Sequence, residues 1–188
     1  MLTRIGGTAT PGDAVDLLLE CHERIRSFLA LAKRIAAAGP EEAAAVPEAA
    51  ARVRRYFTQA LPLHAQDEEE TIVPRLRGLD PVVDAALQEM TREHAEHEAP
   101  LAELVGACEE LAKGPGRLQA LAPVVARAAN ELERHFAVHL EREEKIIFPA
   151  MRRLLDRSVD DRIVREIRAR RGVVDAPEER ARGDAGGR

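Results

Sequence analysis

The sequence predicts an all-α protein: an up-down-up-down bundle of four helices, formed by two similar helical hairpins and followed by a short fifth helix. Hydrophobic residues make up 45% of the 188 residues and aromatic residues only 3%, which is typical of interlocking helices rather than strands. Apolar residues recur at helical spacing along four long stretches. Short connections join these stretches, as expected for antiparallel neighbours in a bundle.

The first hairpin begins at Asp13, an N-cap residue, and its first helix ends before Gly39. Positions 15, 18, 22, 25, 29 and 32 of this helix are apolar or histidine and share one face. The second helix follows Pro47 and extends to about position 79. Because proline lacks the backbone N–H that a helix interior needs, we expect Pro62 and Pro74 to bend this helix or interrupt it locally.

The second hairpin opens with a strong start signal, since Asp80 is an N-cap residue and Pro81 takes the first helical position. The third helix ends at Gly114, and the fourth runs from about position 117 to 155 with a bend at Pro149. The predicted domains are an N-terminal tail at 1–12, the bundle at 13–157, an accessory helix at 158–171 capped by Ser158, and a disordered tail at 172–188.

Composition and charge argue against several functional classes. A net charge of −5 disfavours binding to nucleic acid or to anionic membranes. No apolar run approaches the roughly 18 residues needed to span a bilayer, and the N-terminus lacks an apolar signal region, so we expect a cytoplasmic protein. Cys21 and Cys108 form no CxxC pair, which predicts small buried residues rather than a disulfide or a thiolate zinc site.

The main functional signal is a repeated motif. Residues 64–74 read H-A-Q-D-E-E-E-T-I-V-P and residues 139–149 read H-L-E-R-E-E-K-I-I-F-P, at an offset of 75 (139 − 64 = 75). Both match H-x-x-x-E-E-x-x-I-[V/F]-P. Because residues four apart lie on one helix face, His64 with Glu68 and His139 with Glu143 can point at a common metal ion.

The other histidines complete the predicted site. All six histidines fall within the four long helices, and burying them without partners would cost several kcal/mol each, whereas a metal centre satisfies them together. His22 and His64 lie at equal heights in the first hairpin, 17 residues from its turn (39 − 22 = 17; 64 − 47 = 17). In the second hairpin, helix height and the apolar stripe favour His94, although the strict repeat favours His97. The predicted ligands are His22, His64, Glu68, His94, His139 and Glu143, and His97 and His135 stay open as additional ligands or supporting groups.

The donor types indicate the metal. If Glu68 and Glu143 bridge two ions, each ion receives two nitrogens and two oxygens and keeps open positions. This set suits iron first and manganese second, whereas structural zinc prefers a closed tetrahedron, often with cysteine. Glu69 and Glu144 point about 100° away from the bridging residues and are predicted to support the ligands or to lie at the surface.

These motifs resemble the hemerythrin-like, or HHE cation-binding, domain family. The resemblance spans about residues 13–155 and rests on C-H-E-R-I around His22, H-A-Q-D-E-E from His64, R-E-H-A-E-H-E around His94, and H-L-E-R-E-E-K-I-I-F-P from His139. It implies a non-haem di-iron centre, with an oxo or hydroxo bridge, in a four-helix bundle. Oxygen carriers of the family usually use five histidines and two carboxylates, and only His97 or His135 could supply the fifth histidine here.

Two functions follow as hypotheses. The first is a di-iron protein that binds or reacts with O2, NO or peroxide in sensing, storage or stress defence, with substrate turnover left open. The second is an iron-handling or regulatory module whose metal occupancy controls a protein partner. In that second hypothesis an exposed helix after Ser158 would contact the partner.

Overall fold

A computed structural model describes residues 12–173 of the chain, and this part contains helices and turns but no strand. The prediction of an all-α protein is therefore confirmed. The predicted tails at 1–12 and 172–188 lie outside the described residues, apart from Gly12, Gly172 and Val173. No helix within 12–173 combines the length and the apolar character needed to cross a membrane.

Four long helical segments and one shorter helix make up the structure. The first segment is α1 (Ala14–Ala36) and the third is α5 (Pro81–Ala112). The second segment, residues 46–76, joins α2 (Val46–Arg55), α3 (Leu61–Gln66) and α4 (Val73–Leu76) through π-helical turns at Tyr56–Ala60 and Asp67–Ile72. The fourth segment, residues 118–154, joins α6 (Leu118–Arg142) and α7 (Phe148–Leu154) through a π-helical turn at Glu143–Ile147. Short 3-10 turns at Ala43–Ala45 and Pro115–Arg117 precede the second and fourth segments, and α8 (Arg157–Arg170) follows the fourth.

The long segments surround a shared interior. α1 packs against α2 and α6, and α5 packs against the same two helices. Two apolar clusters fill this interior, one with Ile25 and Leu132 among its members and the other with Leu18 and Met90. His22 lies between the two clusters on α1, four residues after Leu18 and three before Ile25. The buried polar residues thus form a layer between two apolar ends.

The three π-helical turns each end two residues before a proline, at Pro62, Pro74 and Pro149. A proline ring clashes with the carbonyl four residues earlier and offers no N–H, so the turn ahead of it widens. The predicted local interruption therefore takes the form of a widened turn within a continuous helical segment. Glu68 and Glu143 both lie in such turns.

The helix ends follow the sequence signals at Asp13 and Asp80, whose side chains accept backbone N–H groups at the starts of α1 and α5. The cap of α8 was predicted wrongly: Asp156 accepts the backbone N–H, and the hydroxyl of Ser158 donates to Asp156. Because Ser158 lies inside the first turn, its side chain can only support the cap. Cys108 is buried as predicted, whereas Cys21 is only half-buried, and both are free thiols.

The expectation that α8 is exposed holds for one face of the helix only. Ile163, Val164 and Ile167 are buried in the second apolar cluster, because apolar residues at helical spacing give α8 one face that packs on the bundle. One face of α8 is therefore part of the folded core, and the opposite face, with Arg162 and Arg165, is exposed.

Candidate metal centre

Six side chains from all four long segments meet in the polar layer. They are His22 from α1, His64 and Glu68 from the second segment, His94 from α5, and His139 and Glu143 from the fourth segment. Five of them are buried, and the side chain of His94 is 15% exposed. These are the six residues that the sequence predicted as ligands, and the fold places them together.

Each of the two central carboxylates contacts two histidines. One oxygen of Glu68 lies 3.1 Å from Nε2 of His64, and the other lies 3.2 Å from Nε2 of His94. The oxygens of Glu143 lie 2.9 Å from Nε2 of His22 and 2.9 Å from Nε2 of His139.

Two groups of potential ligands result, and both contain the two glutamates. We call the group with His22 and His64 position 1, and the group with His94 and His139 position 2.

The orientation of these atoms fits metal ligands better than hydrogen bonds. All four oxygens of Glu68 and Glu143, with Nε2 of His22 and of His64, are buried and lack a hydrogen bond among the described residues. Atoms 2.0–2.2 Å from one metal ion, at right angles, lie about 3 Å apart. The observed contacts have this spacing, so a metal ion at each position would satisfy the buried polar atoms.

Three further glutamates, which we call the outer carboxylates, contact Nδ1 of three of these histidines, the ring nitrogen that faces away from the central glutamates. Nδ1 of His22 lies 2.8 Å from Glu144, and Nδ1 of His94 lies 2.6 Å from Glu69. Nδ1 of His139 lies 3.1 Å from Glu93. A carboxylate on the outward nitrogen fixes the ring orientation and makes the inward nitrogen a stronger donor.

His64 lacks such a partner. Its Nδ1 is buried and forms no hydrogen bond among the described residues. Three of the four histidines are thus supported by an outer carboxylate and one is not.

The pKa values of the histidines follow this difference. Burial opposes the charge on His139, but Glu143 and Glu93 outweigh it and raise the pKa of His139 to about 10. Burial likewise opposes the charge on His22 and His94, and their carboxylate neighbours still raise both pKa values. At His64 burial dominates and lowers the pKa. A metal ion would therefore displace a proton more easily from His64 than from His139.

The centre has two halves, the first built from residues 14–76 and the second from residues 81–154. In each half the residue before the central glutamate forms an ion pair, but this residue is negative in the first half and positive in the second. Arg142 pairs with Glu93. Asp67 is fully buried and contacts Arg170 at 2.7 Å and Arg171 at 2.6 Å, at the end of α8. Both ion pairs fix the backbone beside a central carboxylate.

The two histidines that the sequence left open lie beside the centre. His97 and His135 belong to neither position. The ring of His97 lies against Phe136, tilted by 30° with centroids 4.2 Å apart, and meets the ring of His139 edge-on at 5.1 Å. Burial and the neighbouring imidazoles lower the pKa of His97 to about 3, so the ring is neutral at physiological pH. His135 lies farther out, with its ring centroid 5.9 Å from that of His97.

A cavity of about 400 Å³ lies beside position 2, between the second segment and α5. His94 and His139, the two histidines of position 2, line this cavity, whereas position 1 contributes only His64. A small molecule in the cavity would therefore meet position 2 first.

Sequence reasoning did not find Glu93 or the arginine contacts to Asp67. Glu93 precedes His94 and carries no spacing signal of its own, yet it is 7% exposed and holds both His139 and Arg142. The arginine contacts to Asp67 join residues about 100 positions apart, and no local motif reports them.

Comparison with protein families agrees with the motifs. The model of the hemerythrin HHE cation-binding domain matches residues 13–123, more than half of the chain. The match includes His22, His64, Glu68 and His94 and stops before the last two residues of the centre. Comparisons with curated proteins and with solved structures gave no match. The chain belongs to the hemerythrin HHE cation-binding domain family.

Proposed function

We propose that this protein holds two iron ions between its long helices and binds or reacts there with O2, NO or peroxide. The family description supports cation binding. Imidazole and carboxylate donors without thiolate, with open coordination positions, support iron over structural zinc. In this proposal His22 and His64 hold one ion, His94 and His139 hold the other, and Glu68 and Glu143 bridge them.

One observation carries the proposal. Both central carboxylates are buried, and each oxygen faces a different histidine without forming a hydrogen bond. Leaving four such oxygens unsatisfied would cost several kcal/mol of folding free energy. Shared coordination of two cations removes this cost, because each oxygen then faces a positive charge.

The surrounding residues prepare the site for a small ligand. The outer carboxylates Glu69 and Glu93 orient His94 and His139, the two imidazoles of position 2, which line the cavity. Phe57, Leu61 and Phe136 form apolar walls of the cavity. Iron held there would supply reversible electron transfer to O2, NO or peroxide.

We also propose that the four long segments run up, down, up and down. The short connections support alternating directions, because consecutive long segments are joined by four to nine residues, at 77–80, 113–117 and 37–45. The packing of α1 and α5 on the same two neighbours is that expected of a square arrangement.

Metal analysis and optical spectroscopy test the proposal. Protein produced aerobically in iron-rich medium should contain close to two iron ions per chain and show near-ultraviolet bands of an oxo-bridged di-iron centre. The reduced protein should change its spectrum on exposure to O2 or NO. Protein without iron and without these bands would refute the proposal, and the Glu68→Ala variant provides a metal-depleted baseline.

The regulatory hypothesis has less structural support. It depended on an exposed helix after Ser158, whereas the apolar face of α8 is packed on the bundle. We therefore retain gas or peroxide chemistry as the proposed function.

A further inference from the structure

We propose that the cavity beside position 2 binds a small uncharged organic molecule with an apolar body and one hydrogen-bonding group, which contacts His97. This inference goes beyond the proposed function, because O2, NO and peroxide need only a small part of the space. It concerns the part of the cavity that extends away from the histidines of position 2.

The extent of the cavity is the first argument. Its walls run from Glu69 back to Phe57 on the second segment, which is about 18 Å of helix, and from Thr91 to Leu101 on α5, which is about 15 Å. The volume is about 400 Å³, whereas a water-sized molecule accounts for about 30 Å³. Cavities of 300–1,000 Å³ are typical of sites for small organic ligands.

The chemistry of the walls selects an apolar body. Phe57, Leu61, Leu101 and Phe136 line the cavity away from the metal positions. Aromatic and aliphatic walls favour a ligand with apolar surface, at about 25 cal/mol per Å² removed from water.

Glu69 and Glu98 border the same cavity, and their negative charge disfavours an anionic ligand. An uncharged molecule fits both features.

His97 supplies the polar contact. Its side chain lines the cavity and is 3% exposed, and its Nε2 is buried without a hydrogen-bond partner among the described residues. An unsatisfied buried nitrogen costs about 1–3 kcal/mol, which a hydroxyl or carbonyl group of a ligand would offset. His97 belongs to neither metal position, so it remains free for this contact.

Two probes with the same apolar body test the proposal: toluene, and benzyl alcohol, which adds a hydroxyl group. Binding is measured by titration calorimetry on the protein as purified, with the metal content of the same sample determined. We expect both probes to bind. His97→Phe should weaken the binding of benzyl alcohol about three- to tenfold, which corresponds to the loss of one hydrogen bond. The same substitution should weaken the binding of toluene by less than about twofold.

The second test measures probe binding in variants whose larger side chains fill the cavity. Ala65→Phe on the second segment and Ala95→Phe on α5 should each abolish binding of both probes, because both alanines line the cavity. Ala95 is exposed, so its substitution should leave the fold intact, and Ala85→Phe, at an exposed site on the same helix, is the matched control.

Several outcomes would overturn the inference. They are failure of both probes to bind the parent protein, binding that persists in Ala65→Phe and Ala95→Phe, and equal losses of both probes in His97→Phe. Absence of iron in a sample that still binds the probes would refute the proposed function alone. Iron and gas reactivity without probe binding would refute only this inference.

Discussion

In both halves of the metal centre the residue before the central glutamate forms an ion pair, but this residue is Asp67 in the first half and Arg142 in the second. In each half a partly buried ion pair fixes the residue before the central glutamate. In the second half Arg142 pairs with Glu93, a carboxylate that also accepts Nδ1–H of His139. In the first half Asp67 pairs with Arg170, the last residue of α8, and with Arg171, which follows it.

This difference in charge explains why Nδ1 of His64 has no carboxylate partner. A guanidinium has only donors, so the arginines that neutralise Asp67 cannot accept a hydrogen bond from the outward nitrogen of His64. Cys21 stands before His22 where Glu93 stands before His94, so the first half lacks the equivalent carboxylate. Position 2 therefore has two supported histidines, and position 1 has one.

The largest effect should come from the residues that the two positions share. If Glu68 and Glu143 serve both positions as proposed, Glu68→Ala and Glu143→Ala should each lower the metal content from the expected two ions per chain to fewer than one. The melting temperature should fall as well, because metal binding stabilises the folded state. Metal analysis and thermal unfolding provide the measurements.

Glu141→Ala, at an exposed site near Glu143, is the control. Retention of one full equivalent of metal in either variant would show that the two glutamates do not serve both positions.

The next effect concerns the ion pairs at Asp67. Replacing Arg170 and Arg171 by Ala leaves a fully buried carboxylate without its counter-charges, which should cost about 3 kcal/mol of unfolding free energy. Burial already raises the pKa of Asp67 against the effect of these arginines, so removing them should raise this pKa further. Urea unfolding measures the loss.

The double replacement Arg162→Ala with Arg165→Ala removes two exposed arginines from α8 and is the matched control. Equal stability of the two double variants would contradict the role given to α8.

The sequence predicted the all-α fold and the six residues that meet in the polar layer because their signals are local. The His64–Glu68 and His139–Glu143 pairs lie within single helical turns, and proline marks the widened turns that hold both glutamates. Glu93 contacts side chains nearly 50 positions away, and its role depends on how two helices pack. The asymmetry between the halves was unpredictable for the same reason.

The third prediction concerns the rate at which each position loses its metal. A chelator should remove metal in two phases, with position 1 emptied first, because His64 has no outer carboxylate. Glu93→Gln should weaken metal binding at position 2 by about 10–100-fold and bring the two phases together. Glu89→Gln, one turn earlier on α5 and exposed at its side chain, should leave both phases unchanged. A slow phase that is unaffected by Glu93→Gln would remove the proposed difference between the positions.

The smallest effect should be the pH dependence of the metal-free protein. The pKa of His139 is raised to about 10, so the stability that its protonation contributes is complete below its unfolded value of about 6.5 and is lost as the pH rises towards 10. The pKa of His64 is lowered, so this residue instead destabilises the fold as the pH falls through about 6.5.

Melting temperatures between pH 5 and 10 test this opposition. His139→Gln should flatten the alkaline decline, although the raised pKa values of His22 and His94 preserve part of it. His64→Gln should flatten the acid decline only. The changes should be a few degrees, since about 1 kcal/mol shifts the melting temperature of a chain of this size by about 2–4 °C. If both variants changed the same limb, the two halves would carry equivalent histidines, and the missing outer carboxylate at His64 would have no energetic consequence.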